Sequence, residues 1–181
     1  MNAVALLEKY FPAMDAFRIV LEHSQLVAAK ALQTARKLDR PGVDLVFLEE
    51  AALLHDIGVC RTAAARFHCH GTEPYIRHGI IGREILEGEG FPRHALVCER
   101  HIGVGLSVAD IRSQRLPLPE VDMMPLSREE KIVCFADLFY SKSPEKCGKE
   151  KTIDEIRTSL AKFGEHKLMI FEEWLKEFNF V

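Results

Sequence analysis

The segment Phe47-Leu-Glu-Glu-Ala-Ala-Leu-Leu-His-Asp-Ile-Gly58 constrains this chain more than any other. Its apolar residues recur at helical spacing, so periodicity predicts a buried helix over about Val43 to His55, stopped by Gly58. That helix ends on an imidazole beside a carboxylate, His55-Asp56. A buried carboxylate without a partner is costly, so the fold must bring cations or strong donors to this point. Asp137 poses the same problem within Val133-Cys-Phe-Ala-Asp-Leu-Phe-Tyr140, a nearly all-apolar stretch. His23, His78 and His101 each fall in or beside another helix-patterned segment. Taken singly, a buried histidine is more often a satisfied core group than a ligand. Four histidines and two aspartates together favour one metal site or two.

The remaining pattern is also helical. A short lead helix fits Leu6 to Tyr10. A long amphipathic helix fits Asp15 to Leu38, with Phe17, Val20, Leu21, Ser24, Val27, Ala28, Ala31 and Ala35 on one face. Asp39-Arg-Pro-Gly42 reads as a turn, and residues 59–73 as irregular. Further helices fit Pro74 to Glu87, Arg93 to His101 and Val108 to Arg115. The stretch 106–126 is the one long connection, read equally as a substrate wall or lid with Met123 and Met124 as adaptable contacts, or as an ordinary surface connection. Ser127-Arg-Glu-Glu130 and Thr152-Ile-Asp-Glu155 have the capping-box pattern that satisfies the first amides of a helix. After the first of these comes the helix carrying Asp137. Lys142 to Lys151 reads as an exposed loop, and two last helices fit Ile153 to Phe163 and His166 to Phe178. No strand pattern stands out, so the expected class is all-α.

Size and charge narrow the function. The chain has 181 residues and reads as one domain, 1–181, with a motif core at about 20–142 and C-terminal helices at 152–179 packing on it. Its 24 basic and 27 acidic residues give a net charge of -3, which argues against a partner of extended nucleic acid. There is no signal-peptide layout at the N-terminus and no apolar run of membrane-spanning length, so the expected location is cytoplasmic, away from membranes. The odd set of five cysteines (60, 69, 98, 134 and 147) contains no Cys-x-x-Cys pair and reads as reduced thiols. The aromatic C-terminal helix, with Phe171, Trp174, Leu175 and Phe178, suits packing on its own core or on a second subunit in a homodimer.

A mixed imidazole and carboxylate shell suits divalent Fe, Mn, Ni, Zn or Mg. Asp56 is the natural shared ligand if there are two ions, because a carboxylate bridges readily. His68, Cys69 and His70 read first as a solvated loop, with His70 a further candidate ligand. His94 and His166 are expected at the surface.

The order His23, His55-Asp56, Asp137 resembles the H…HD…D signature of the HD-domain superfamily of metal-dependent phosphohydrolases. His55-Asp-Ile-Gly58 is similar to its HDIG variant. His78-Gly79 and Arg100-His101-Ile-Gly103 resemble the two-metal subset, which includes dinucleoside tetraphosphate hydrolases of the YqeK type. Glu99-Arg-His-Ile-Gly-Val-Gly105, Glu129-Glu-Lys-Ile-Val133 and Ala136-Asp137 look closer to a small group of uncharacterised HDIG proteins. The resemblance implies an HD-domain helical bundle with His23, His55, Asp56 and Asp137 around one metal. It implies His78 and His101 joining Asp56 around a second.

What this predicts is hydrolysis of a nucleotide or related small phosphate ester by a metal-activated water, with Asp56 or Asp137 orienting that water. Many members place a basic residue after the tetrapeptide. Here Val59 stands there, and Arg61 is the first choice for contacting phosphate, ahead of Arg83 and Arg100, each of which reads more readily as a surface ion pair. Two rival readings are a non-catalytic nucleotide sensor and a di-iron oxygenase.

Overall fold

The computed structural model describes residues 1–38, 42–143 and 148–180. Helices dominate: α1 Ala3–Tyr10, α2 Met14–Arg36, α3 Leu45–Leu54, α4 His78–Gly88, α5 Pro92–Arg100, α6 Val108–Ser113, α7 Arg128–Asp137, α8 Ile153–Ala161 and α9 Glu165–Glu177. The architecture is all-α. Residues 59–73, expected to be irregular, hold some order: a 3-10 helix at Ile57–Arg61, another at Ala65–Phe67, and a two-stranded hairpin of β1 Ala63–Ala64 and β2 Cys69–His70. Strands this short leave no mark in hydrophobic alternation. Asp39 to Pro41 of the expected turn and Cys147 lie outside the described residues.

α2 is the central pillar. Its buried face, with Val20, His23, Ser24, Val27 and Ala31, separates two apolar clusters. On one side α1, α4 and α5 pack around Leu7, Leu54, Ile57, Ile81 and Leu86. On the other α3, α7, α8 and α9 enclose Leu48, Phe135, Phe171, Trp174 and Phe178. The aromatic face of α9 is therefore spent on its own chain. The ring of Phe135 lies 5.7 Å from that of Phe171 and 5.1 Å from that of Phe178. Burying one such side chain stabilises by roughly 1.5–3 kcal/mol.

Helix starts follow local chemistry. Thr152 and Glu155 form the reciprocal box anticipated for α8, and Ser107 and Asp110 form another at α6. Ser127 makes only half of its box. Its hydroxyl accepts from Glu130 N, but the Glu130 carboxylate accepts instead from Leu126 N and from Arg100, both at 2.9 Å.

Three further expectations are corrected. His94 is buried, not exposed. Its ring lies edge-on to Phe47 and Phe91, and its Nε2 is 3.2 Å from Glu50. Cys69 is buried beneath the hairpin, although His68 and His70 on either side are exposed. Lys142, expected in an exposed loop, has a side chain only 10% exposed, for reasons given below. His166 stays at the surface, where its Nε2 is 3.0 Å from Asp110 Oδ1.

The connection 106–126 is anchored rather than loose. Leu106 and Met123 bond through their backbones, and Met123 is buried with Ile111 and Leu118. Asp110 reaches α9, where the buried Lys167 ammonium lies 2.5 Å from its Oδ2 and also donates to Gly105 O at 2.6 Å.

Candidate metal centre

Five helices deliver the six polar residues to one point. His23 comes from the middle of α2. His55 caps α3 and Asp56 follows it. His78 opens α4, His101 caps α5, and Asp137 closes α7. Close approach of α4 and α5 depends on Gly79, where a Cβ would lie 2.7 Å from Cys98 O.

Three of the histidines are oriented by the same device. Nδ1 of His55 donates to Ala52 O, that of His78 to Tyr75 O and that of His101 to Cys98 O, each at 2.7 Å. In each case the acceptor lies three residues earlier, as a helix end allows. With the proton on Nδ1, the Nε2 lone pair points inward, which is the tautomer a metal needs.

The inward atoms are close-set. Asp56 Oδ2 lies 3.1 Å from His55 Nε2 and 3.4 Å from His23 Nε2. Asp137 Oδ1 lies 2.9 Å from His23 Nε2 and 3.5 Å from His55 Nε2. The other oxygen, Asp56 Oδ1, stands 3.5 Å from both His78 Nε2 and His101 Nε2. Asp56 thus turns one oxygen to each half of the cluster. Two sets of three ligand atoms, from His23, His55 and Asp137 and from His55, Asp56 and His101, each lie within 4.8 Å of one another.

Atoms bound to one ion at about 2.1 Å can be no more than about 4.2 Å apart, and the separations of 2.9–3.5 Å given above for the two carboxylates fall within that limit. A second observation agrees. His78 Nε2 and His101 Nε2 face each other at 3.0 Å, and two inward lone pairs repel unless a cation lies between them. Moreover Nε2 of His23 and His55 and Oδ1 of Asp56 are buried without a partner in hydrogen-bonding geometry. These residues fit a divalent metal.

The electrostatics follow from burial beside opposite charge. Burial lowers His23 to about 4 and His78 to about 3, so both favour the neutral, ligating form. Burial also opposes a charge on His55, but the Asp56 and Asp137 carboxylates outweigh it and raise His55 to about 10. A metal competes with that proton. Against the cost of burial, Asp56 is held well below the usual carboxylate range by His55 and Lys142, and Asp137 by Lys142 and His23.

Lys142 is the residue the sequence did not reveal. Its Nζ lies 2.7 Å from Asp56 Oδ2, and the carboxylates of Asp56 and Asp137 outweigh burial to keep it charged. It stands in an opening of about 240 Å³ lined also by Arg66, Tyr75 and Asp137. Tyr75 stacks on His78 with ring centroids 4.7 Å apart, and the Arg66 guanidinium lies 5.4 Å from the Tyr75 ring. Asp137 is 17% exposed to this opening, whereas Asp56 is fully enclosed.

None of the three arginines singled out from the sequence lines the opening. Arg61 is exposed at the end of its 3-10 helix, and its charge is felt by Cys60 and Tyr10. Arg83 is paired with Glu87 at 2.9 Å and Glu99 at 2.5 Å, and Arg100 with Glu130 at 2.9 Å. Neither His70 nor His78 belongs to the two sets of candidate ligands found among the described residues, and His78 joins the cluster through its approaches to His101 at 3.0 Å and Asp56 Oδ1 at 3.5 Å.

Comparison with known proteins gives this cluster a context. The profile of the HD domain matches residues 20–141. An uncharacterized protein of Methanocaldococcus jannaschii is 40% identical over 65% of this chain and 64% of its own length. A tRNA (cytidine(56)-2'-O)-methyltransferase of Picrophilus torridus is 32% identical over 72% of this chain, but over only 37% of its own length. The chain therefore spans less than two thirds of these relatives. In fold it is similar to the HD domain of the phosphodiesterase PgpH of L. monocytogenes. The TM-score is 0.55 at 16% identity, covering 97% of this chain and 88% of that one.

Proposed function

The chain belongs to the HD-domain family, and on that premise we propose that it is a metal-dependent phosphohydrolase acting on a nucleotide or related small phosphate ester. The observation that carries the reading is the division of Asp56, one oxygen toward His23 and His55 and the other toward His78 and His101. In this reading His23, His55, Asp56 and Asp137 hold one divalent ion, and His78 and His101 share Asp56 with a second. Bound there, such ions acidify water and draw charge from phosphoryl oxygens.

The chain's own residues do the rest. Asp56, enclosed on all sides, holds the centre together. Asp137 is the ligand carboxylate open to solvent, so it accepts a hydrogen bond from the attacking water and aligns it. Lys142 takes the part first given to Arg61, neutralising charge on the phosphoryl oxygens as the ester bond breaks. Arg66 at the rim adds attraction for an anion without a fixed contact. Tyr75 holds His78 from both sides, by its carbonyl on Nδ1 and its ring on the imidazole face. Residues 1–181 work as one unit in this proposal, because α8 and α9 close the same core as α7.

The test is phosphate release from a panel of nucleotides and simple phosphate esters, with protein loaded separately with manganese, iron, nickel, zinc or magnesium. Release by at least one metal form, abolished in Asp137→Ala, supports the proposal. No release by any form, with tight nucleotide binding, would leave a sensor instead.

A further inference from the structure

Beside the opening lies a second cavity of about 280 Å³. Its wall includes Ile76, Ile102, Leu106, Leu116 and Leu138, with Phe163 among its lining residues. Leu138 lines both spaces, so the apolar cavity adjoins the opening that holds Asp137 and Lys142. Two further joins run the same way. Ile76 follows Tyr75 of the opening, and Ile102 follows His101 of the metal centre.

The chemistry of the cavity is one-sided. Lys167 reaches it, but its ammonium is committed to Asp110 and Gly105 O. No charge is left there for a second phosphate. Phe163 is 56% exposed, an uncommon state for a large apolar ring and one that suits stacking on a planar partner. The volume of about 280 Å³ lies just below the usual range of ligand pockets, about 300 Å³ upward, and so accepts no more than one ring system.

We infer that this cavity receives a flat, mostly apolar ring carried by the leaving group, so that the substrate is a phosphate ester of an aryl or nucleobase-bearing alcohol rather than of a sugar or polyol. The inference rests on the phosphohydrolase reading for its phosphate but not for its ring. Phosphate sits at Lys142 and Asp137 while the ring passes Leu138 and lies against Phe163. One ring is accommodated, not the two bases of a dinucleotide.

The experiment is calorimetric titration of the metal-loaded protein with non-hydrolysable phosphonate analogues of 1-naphthyl phosphate, adenosine 5'-monophosphate and glycerol 1-phosphate, and with the phosphate-free 1-naphthol. At least one ring-bearing phosphate should bind about five-fold or more tighter than glycerol 1-phosphate, the scale of one aromatic contact. Preference for the adenosine ester assigns the ring to a nucleobase, and preference for the naphthyl ester to a plain aryl group. Phe163→Ala, at an exposed position, should remove most of that advantage and leave glycerol 1-phosphate unchanged. Leu116→Trp, which fills the cavity, should do the same and abolish binding of 1-naphthol. Equal affinity for ring-bearing and ringless esters, or variants that weaken both alike, overturns the inference. Binding of 1-naphthol that Leu116→Trp abolishes, in a protein that releases no phosphate from any ester, supports the cavity and removes only the hydrolase.

Discussion

Gly58 lies directly under the carbonyl of His78. A Cβ at Gly58 would stand 2.0 Å from His78 O and 2.4 Å from Gly82 N, both backbone atoms that cannot step aside. The glycine of His-Asp-Ile-Gly is therefore what lets the 3-10 helix carrying the end of the motif press against α4 and bring His78 to Asp56. Gly58→Ala should cost about 1–3 kcal/mol or more, the range for overfilling a packed interior. It should also weaken metal uptake. Urea unfolding and elemental analysis check both, and an unchanged midpoint with full metal content would refute the packing argument.

Elemental analysis of single variants should separate the two halves of the centre. Asp56→Ala removes the carboxylate that both halves share and should lose all bound metal. His101→Ala should lose about half of it, because it touches only the Oδ1 side of Asp56. His55→Ala and Asp137→Ala should lose metal and hydrolysis while far-UV circular dichroism stays near that of the parent. Identical metal content in all four variants would mean that the cluster is not the site.

Lys142→Met should keep its metal and lose phosphate release by about 100-fold, the scale of one electrostatic contact made in the transition state. Lys142→Arg should recover part of that loss. A fall in metal content instead of rate would place Lys142 in the assembly of the centre rather than on the substrate.

The Asp110–Lys167 pair should make stability depend on pH in a known direction. Burial opposes the Asp110 charge, but Lys167 and Ser107 outweigh it and hold the carboxyl well below its ordinary range. Its folded value lies below the unfolded value of about 3.9, so its contribution is fully present above that pH and is lost as pH falls below it. Asp110→Asn strands a buried ammonium and should cost about 3–5 kcal/mol at pH 7. Urea midpoints of parent and variant should draw closer as pH falls below about 3.9, with part of the gap remaining at pH 2. A gap that stays constant from pH 7 down to pH 2 would show that the loss comes from packing and not from the ion pair.

The helices and the six inward residues were legible because burial imposes periodicity, and because a carboxylate such as Asp137 in an apolar helix demands a partner. The cations around the site were not legible. Arg61 stands nearest to the motif in sequence yet points away from it, since the 3-10 helix it ends turns the chain back toward α1. Lys142 lies past the end of α7, where no period applies, and only the folded chain shows it meeting Asp56. His94 read as exposed because it follows a proline at a helix start. What buries it is the fit of Phe91, at the start of its own helix, together with Phe47 from α3.

The C-terminal helices lie past residue 141, where the match to the HD domain ends, yet Leu160, Phe163 and Lys167 help to enclose the apolar cavity. The cavity wall is thus shared between the matched stretch, which gives Ile76, Ile102, Leu106, Leu116 and Leu138, and the C-terminal helices. On the proposed reading, mutation in those helices would reshape what is admitted without touching the six inward residues. Descendants of a common ancestor can keep one set of ligands while diverging in diet, and swapping the tail from residue 152 onward between relatives offers a direct route to redirecting selectivity.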